Sequence, residues 1–104
     1  MRPAGPASDP FTEPAKLYAA GRVAEAERRL DGLLKARPRD AEFQFNAAAL
    51  ADRAGRTERA RRGYEHVLQL APDALAAWMN LGSLQLRLDN GIEGGRCFRR
   101  AAEL

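Results

Sequence analysis

The sequence predicts an all-α fold built from three tandem helical hairpins. The chain matches itself best at an offset of about 34 residues, helix breakers recur at that offset, and the segments between the breakers favour helices. The offset pairs Pro38 with Pro72 and places Gly21, Gly55 and Asp89 at one repeat position. Such a period indicates one two-helix unit repeated three times.

The same offset aligns three sets of mostly large apolar residues. They are Leu30, Tyr64 and Phe98, then Leu33, Val67 and Ala101, and finally Ala36, Leu70 and Leu104. Spacing by three or four residues is the period of one helix face, so these positions predict the buried stripe of one helix in each unit. Small residues recur in the same way, at Ala26, Ala60 and Gly94 and at Ala48 and Gly82, where paired helices must approach closely.

The predicted helices follow in chain order. The first is short and starts near Pro14, because Pro10 and Pro14 cannot donate a backbone hydrogen bond. Asp40 and Asp73 are the predicted N-caps of the third and fifth helices. The other predicted helices cover residues 23–36, 41–54, 57–70, 75–88 and 92–104, and the predicted domains are a flexible tail over 1–13 and a repeat domain over 14–104, with repeats at about 7–40, 41–74 and 75–104.

Composition narrows the class of protein. Hydrophobic residues make up 45% and charged residues 30% of the chain, as in soluble globular proteins. The sequence contains neither a membrane-spanning apolar run of about 18 residues nor a signal peptide, so we expect a cytoplasmic protein. With one cysteine, Cys97, and one histidine, His66, no disulfide, structural metal or cofactor is expected.

The repeat residues resemble those of the tetratricopeptide repeat family, whose pattern is Trp-x2-Leu-Gly-x2-Tyr, then Ala-x3-Phe, then Pro. The third unit carries Trp78, Leu81, Gly82 and Phe98, and the second carries Ala48, Ala60, Tyr64 and Pro72, whereas Gln44, Gln85 and Gly94 depart from the pattern. The resemblance covers residues 14–104. It implies an α-solenoid, wound as a right-handed superhelix, whose concave groove binds peptides and which has no catalytic chemistry of its own.

The family geometry places a set of side chains in this groove. They are Phe11 and Tyr18 in the first unit, Phe45, Asn46, Ala49 and Arg53 in the second, and Met79, Asn80, Ser83 and Arg87 in the third. Asn46 and Asn80 are one repeat apart, and their carboxamides could hold a peptide backbone. The alternative is that asparagine is merely a frequent residue at this position of the family.

Phe45 and Met79 also leave two interpretations open. They either make the groove partly apolar, for a ligand that inserts hydrophobic side chains, or pack between neighbouring helices. Co-chaperone members grip a C-terminal carboxylate at groove positions that hold Phe45, Ala49, Ala76 and Asn80 here, so that clamp is not expected.

The second helices carry a basic face. Arg28, Arg62 and Arg96 lie one repeat apart, but Glu25 and Glu58 precede Arg29 and Arg62 by four residues, as in ordinary solvated helix pairs. No aromatic residues interleave the arginines, so nucleic-acid binding is not expected. Cys97 is expected to be a small residue at a helix interface, and Trp78 a core residue.

The last predicted helix leaves an open C-terminal edge, formed by Phe98, Ala101 and Leu104. Because solenoids usually end in a polar cap, we expect a following domain, a second copy of the chain as a homodimer, or a partner to cover this edge. The sequence contains no phosphate loop, no HExxH motif and no paired nucleophile and base, so we expect no enzymatic activity. Two functions remain: a protein-interaction module that binds a peptide or partner protein, or a docking segment of a larger bacterial enzyme such as a glycosyl- or sulfotransferase.

Overall fold

The structure is a computed structural model that describes residues 9–104. This part of the chain forms six helices: α1 (Thr12–Ala19), α2 (Val23–Ala36), α3 (Ala41–Arg53), α4 (Thr57–Leu70), α5 (Leu75–Arg87) and α6 (Gly91–Glu103). Consecutive helices pair as the hairpins α1–α2, α3–α4 and α5–α6, and α4 packs against α5. The prediction of an all-α fold with three hairpins is confirmed. Residues 1–8, which fall within the predicted tail, lie outside the described residues.

The predicted helix boundaries agree closely with the structure. α2 and α4 begin and end at the predicted residues, and the others differ from prediction by one or two residues. The largest difference is at α1, which begins at Thr12 rather than near Pro14, so Thr12 and Glu13 are helical instead of part of the tail. Pro14 is the third residue of α1, within the first turn, where a backbone N–H has no partner in the helix.

The turn inside each hairpin has the same backbone conformation. Gly21, Gly55 and Asp89 have φ angles of 77°, 78° and 64°, in the left-handed region. Glycine adopts this region without a steric penalty, whereas aspartate does so at some cost. Each hairpin turn therefore has a left-handed residue at this repeat position, and the third unit places an aspartate there instead of a glycine.

One of the two predicted N-caps is wrong. Asp40 does cap α3, since its Oδ1 accepts a hydrogen bond of 3.0 Å from the backbone N–H of Phe43. Asp73 does not cap α5, whose N-cap is Ala74, with no side-chain hydrogen bond. The reason is the register of the repeat: Ala74, not Asp73, occupies the repeat position of Asp40.

The core is divided between the two junctions where hairpins stack. Leu30, Ala47 and Leu50 are buried where the first hairpin meets the second, and Phe11, Ala15, Tyr18, Leu33 and Leu34 pack around them. A second cluster joins the second and third hairpins and is centred on Tyr64, Leu81 and Leu84, which are at most 5% exposed. Each hairpin therefore packs against its neighbours in the stack as well as within itself, as in other repeat proteins.

In the second and third hairpins, small residues lie where the two paired helices are in close contact. A Cβ atom built on Gly63 of α4 would lie 2.7 Å from the Cβ of Ala48 on α3. In the third unit the same two repeat positions hold Cys97 and Gly82, so the larger side chain has moved to the other helix. A Cβ on Gly82 would lie 3.2 Å from the Cβ of Cys97. Each contact thus has room for one side chain, on either helix.

We expect Gly63→Ala to lower the free energy of unfolding by about 1 kcal/mol, because the cost of overpacking exceeds the gain in helix propensity. The double variant Ala48→Gly with Gly63→Ala should recover stability close to that of the wild type, since it copies the arrangement of the third unit. Urea denaturation of the wild type, both single variants and the double variant measures this coupling. Additive effects of the two substitutions would contradict it.

Candidate peptide-binding groove

Three of the four predicted groove residues of α3, Asn46, Ala49 and Arg53, form one continuous stripe with Glu42, which the sequence analysis did not select. Glu42, Asn46, Ala49 and Arg53 are separated by four, three and four residues, which places them on one face of the helix. Glu42, Asn46 and Arg53 are exposed and Ala49 is half-buried. None of the three polar side chains makes a hydrogen bond or an ion pair with another residue in the described part of the chain.

The equivalent side chains of α5 are engaged within the protein. Asn80 Nδ2 donates a hydrogen bond of 3.3 Å to the hydroxyl of Tyr64, and this hydroxyl donates one of 3.1 Å to Asp52 Oδ2. The other carboxylate oxygen, Asp52 Oδ1, accepts a hydrogen bond of 2.7 Å from a terminal nitrogen of Arg87. These four residues form a polar network, here called the Tyr64 network, that joins α3, α4 and α5.

The preceding junction lacks the residues that would form such a network. Leu30 stands one repeat before Tyr64, and Tyr18 stands one repeat before Asp52. A leucine cannot accept a hydrogen bond from Asn46, and a neutral phenol cannot neutralise Arg53. The two asparagines therefore differ in their surroundings although they occupy one repeat position: Asn80 is half-buried and bonded, whereas Asn46 is exposed and unbonded among the described residues.

Two predicted groove residues pack within the protein. Tyr18 is half-buried against the Leu30 cluster, and its hydroxyl donates a hydrogen bond of 3.1 Å to Glu27 Oε2. The ring of Phe45 lies 5.7 Å from that of Tyr64, at the edge of the second core cluster. Both rings link helices, since each packs against residues of a neighbouring helix. Of the remaining predicted residues, Met79 is 44% exposed and Ser83 is also exposed.

An open cleft lies beside the α3 stripe. It has a volume of about 710 Å³, and Glu42, Asn46 and Arg53 line it together with residues from the start of the chain. The rings of Phe11 and Phe43, 4.8 Å apart, form its apolar wall. Sequence reasoning did not identify Phe43 as a groove residue, because its repeat position holds Ala77 in the third unit and gives no recurring aromatic signal.

Four of the eight arginines in the second helices of the hairpins, α2, α4 and α6, form ion pairs, namely Arg59, Arg61, Arg96 and Arg100. Arg59 contacts Asp31 at 2.6 Å and Arg96 contacts Glu93 at 3.0 Å. The predicted pairing is wrong in detail, since Glu25 pairs with Arg22 and Glu58 pairs with Arg61. These pairs span three residues instead of four, a spacing that also lies on one helix face. Such solvated pairs contribute little to stability.

The structure changes the predicted C-terminal edge. Of its three residues only Leu104 is exposed, at 55%. Ala101 is 7% exposed, and ring atoms of Phe98 lie 3.0 Å from the position that a Cβ on Gly82 would occupy. Ala101 is covered and Phe98 is half-buried, because α6 turns this face partly toward α5, its partner in the hairpin. Leu86, which sequence analysis did not select, is 52% exposed.

Cys97 and Trp78 have the expected packing roles. Cys97 is buried, and its burial raises the pKa of the thiol, which favours the unreactive protonated form. Trp78 is half-buried against the second core cluster, and its Nε1 donates a hydrogen bond of 2.7 Å to the carbonyl oxygen of Pro72. Among residues 9–104 there is no helix long and apolar enough to cross a membrane, and no group of three metal-ligating side chains.

The arrangement of the hairpins is that of the tetratricopeptide-repeat fold, as the sequence predicted. No family model matches the sequence, and no curated protein matches it. Solved structures of MamA, a tetratricopeptide-repeat protein, share the fold. The protein "MamA 41-end from Desulfovibrio magneticus RS-1" superposes with a TM-score of 0.74 and 20% identity, covering 91% of this chain and 54% of that chain. MamA of AMB-1 superposes with a TM-score of 0.73 and 18% identity, covering 91% of this chain and 52% of that chain. The chain therefore spans about half the length of these proteins.

Both tyrosine hydroxyls should ionise at a higher pH than an ordinary tyrosine. Burial, followed by the neighbouring Glu27, raises the pKa of Tyr18 to about 12, and burial also raises the pKa of Tyr64 to about 12, although Asn80 opposes this. The folded state therefore holds these protons more tightly than the unfolded chain, whose tyrosines have the ordinary pKa of 10.0. The resulting stability is fully present below pH 10 and is lost as the pH rises toward 12.

Ultraviolet absorbance of tyrosinate tests this expectation, because the chain has only these two tyrosines. The native protein should show little tyrosinate at pH 10, whereas the protein in denaturant should be half ionised there. The variant Tyr64→Phe should leave a single titration near pH 12, from Tyr18. A native titration that coincides with the denatured one would show that the two hydroxyls are not held as described.

Proposed function

We propose that the chain is a protein-interaction module that binds an extended peptide, or an exposed segment of a partner protein, along the α3 stripe. The observation that carries this proposal is the pair Asn46 and Arg53, which face an open cleft without partners among the described residues. Their repeat equivalents, Asn80 and Arg87, are used within the protein. Of the other predicted groove residues, Phe11 also lines the cleft. A cytoplasmic location belongs to the same proposal.

The cleft supplies the groups that peptide binding requires. A carboxamide can donate to a peptide carbonyl and accept from a peptide N–H, so Asn46 can hold a backbone of any sequence. The ring of Phe11, which is half-buried against that of Phe43, offers an apolar surface for one side chain of the ligand. We propose no catalytic role, since the polar groups of the cleft do not include a nucleophile beside a general base.

The matched pair of asparagines provides the test. A random peptide library is first selected on the immobilised protein, and one selected peptide is synthesised for calorimetric titration. We expect Asn46→Ala to weaken its binding by about five-fold, the effect of one lost hydrogen bond. Asn80→Ala should leave affinity nearly unchanged while lowering stability, because it removes the bond to Tyr64. Equal loss of affinity in both variants, or none in Asn46→Ala, would reject the proposed site.

A second proposal concerns the C-terminal edge, where the third unit exposes apolar groups. Leu86 and Phe98 stand at the repeat positions of Asp52 and Tyr64, which in the second unit contact the next hairpin. Within residues 9–104, the large hydrophobic side chains most exposed to solvent are all in the third unit: Leu75, Met79, Leu86, Leu88, Ile92 and Leu104. We propose that a second copy of the chain covers this edge. A docking segment of a larger enzyme, the alternative function, would instead be covered there by the rest of that enzyme.

Light scattering over a range of concentrations tests the homodimer. The wild type should approach twice the monomer mass as concentration rises, and Leu86→Glu combined with Leu104→Glu should remain monomeric, because paired edges would bury the new charges. Lys16→Glu is the control, since it changes the net charge by the same amount at the opposite end of the chain. A monomeric wild type at all concentrations would contradict the homodimer.

A further inference from the structure

We propose that the cleft selects its ligand by charge order: a basic side chain beside Glu42 and an acidic side chain beside Arg53, about five residues apart in an extended peptide. This inference rests on the proposed binding of a peptide along α3. It adds the chemical class of the ligand, a segment with one cationic and one anionic residue flanking a backbone held by Asn46.

The distance between the two charges follows from the helix. Glu42 and Arg53 are eleven residues apart on the α3 stripe, so their Cα atoms are separated by about 16 Å along the axis. An extended chain advances about 3.3 Å per residue, and a span of this length therefore needs about five residues. Asn46 lies between the two charged residues, where it can reach the peptide backbone.

The remaining charged groups of the cleft, Asp9, Asp40 and Arg37, already contact other groups of the protein. Asp9 Oδ1 accepts a hydrogen bond of 2.9 Å from the backbone N–H of Phe11, and Asp40 Oδ1 caps α3. Arg37 lies 4.7 Å from the centre of the Phe43 ring and 4.0 Å from Asp40 Oδ2. The end of the cleft near the start of α3 therefore has the carboxylates of Asp9, Asp40 and Glu42 against the one guanidinium of Arg37, a net negative charge, and Arg53 is the charged lining residue of the other end.

In the third unit, the repeat positions of Glu42 and Arg53 carry no unpaired charge. The position of Glu42 holds Ala76 there, and the charge of Arg87 is neutralised by Asp52 at 2.7 Å. The α5 stripe therefore has no free charge at either end. Arg87 is thus a matched control for Arg53, because it is the same residue at the same repeat position with its charge already paired.

The probes are four synthetic peptides with blocked ends and one shared apolar spacer of four residues, which separates two variable residues. The pairs are Lys with Glu, Lys with Lys, Glu with Glu, and Gln with Gln. Two exposed ion pairs should make the Lys–Glu peptide bind about five-fold more tightly than the Gln–Gln peptide at low salt, with the advantage shrinking as salt is added.

Variants assign each charge to its end of the cleft. Arg53→Gln should remove the advantage given by the glutamate of the peptide and keep that of the lysine, and Glu42→Gln should do the reverse. Arg87→Gln should change neither. Glu42 and Arg53 also lie in the first and last turns of α3, where their charges favour the helix, so circular dichroism of each variant checks that the fold is kept.

The outcomes separate this inference from the proposed function. If no peptide binds, including the Gln–Gln peptide and the peptides selected from the library, the proposed binding itself fails. If all four peptides bind with equal affinity, or the Glu–Glu peptide binds most tightly, the groove binds peptides but the charge-order inference is overturned. Loss of selectivity in Arg87→Gln equal to that in Arg53→Gln would also overturn it.

Discussion

The hydroxyl of Tyr64 lies where the second and third hairpins meet, and its hydrogen bonds make the difference between the polar side chains of α3 and those of α5. It accepts from Asn80 and donates to Asp52, which in turn holds Arg87. Because the phenol is nearly fully buried, these bonds form in a region of low dielectric constant, where an unpaired polar group would be costly. The second junction thus gains polar contacts between hairpins. The side chains that make them, Asn80 and Arg87, are the repeat equivalents of Asn46 and Arg53.

The first junction combines an apolar cluster with polar contacts that do not involve Asn46 or Arg53. Arg59 pairs with Asp31, Arg56 pairs with Glu27, and Gln44 Nε2 donates a hydrogen bond to the carbonyl oxygen of Arg37. Leu30 takes the place of the buried tyrosine, and Phe11 and Tyr18 pack around its cluster. The small residues inside the second and third hairpins, Ala48 with Gly63 and Gly82 with Cys97, let the paired helices approach closely. The second junction thus uses Asn80 and Arg87 within the protein, whereas their repeat equivalents Asn46 and Arg53 have no partner among the described residues.

Much of the fold could be predicted from the sequence because each helix boundary depends on local chemistry that recurs once in every repeat. The left-handed turns at Gly21, Gly55 and Asp89 are an example. The false N-cap at Asp73 shows the limit, since aspartate chemistry alone does not reveal which of two adjacent residues begins the helix. The site was less predictable. Asn46 and Asn80 look equivalent in the sequence, and only the contacts of Tyr64 across the junction distinguish them.

The central claim is that the carboxamide of Asn46 is open to a ligand whereas that of Asn80 is held by Tyr64. Nuclear magnetic resonance of the unliganded protein measures this directly, through the rates at which the two side-chain NH2 groups exchange protons with water. We expect slow proton exchange for the NH2 group of Asn80, which is half-buried and bonded, and fast exchange for that of Asn46, which is exposed. Equal rates for the two groups, or slower exchange at Asn46, would contradict it.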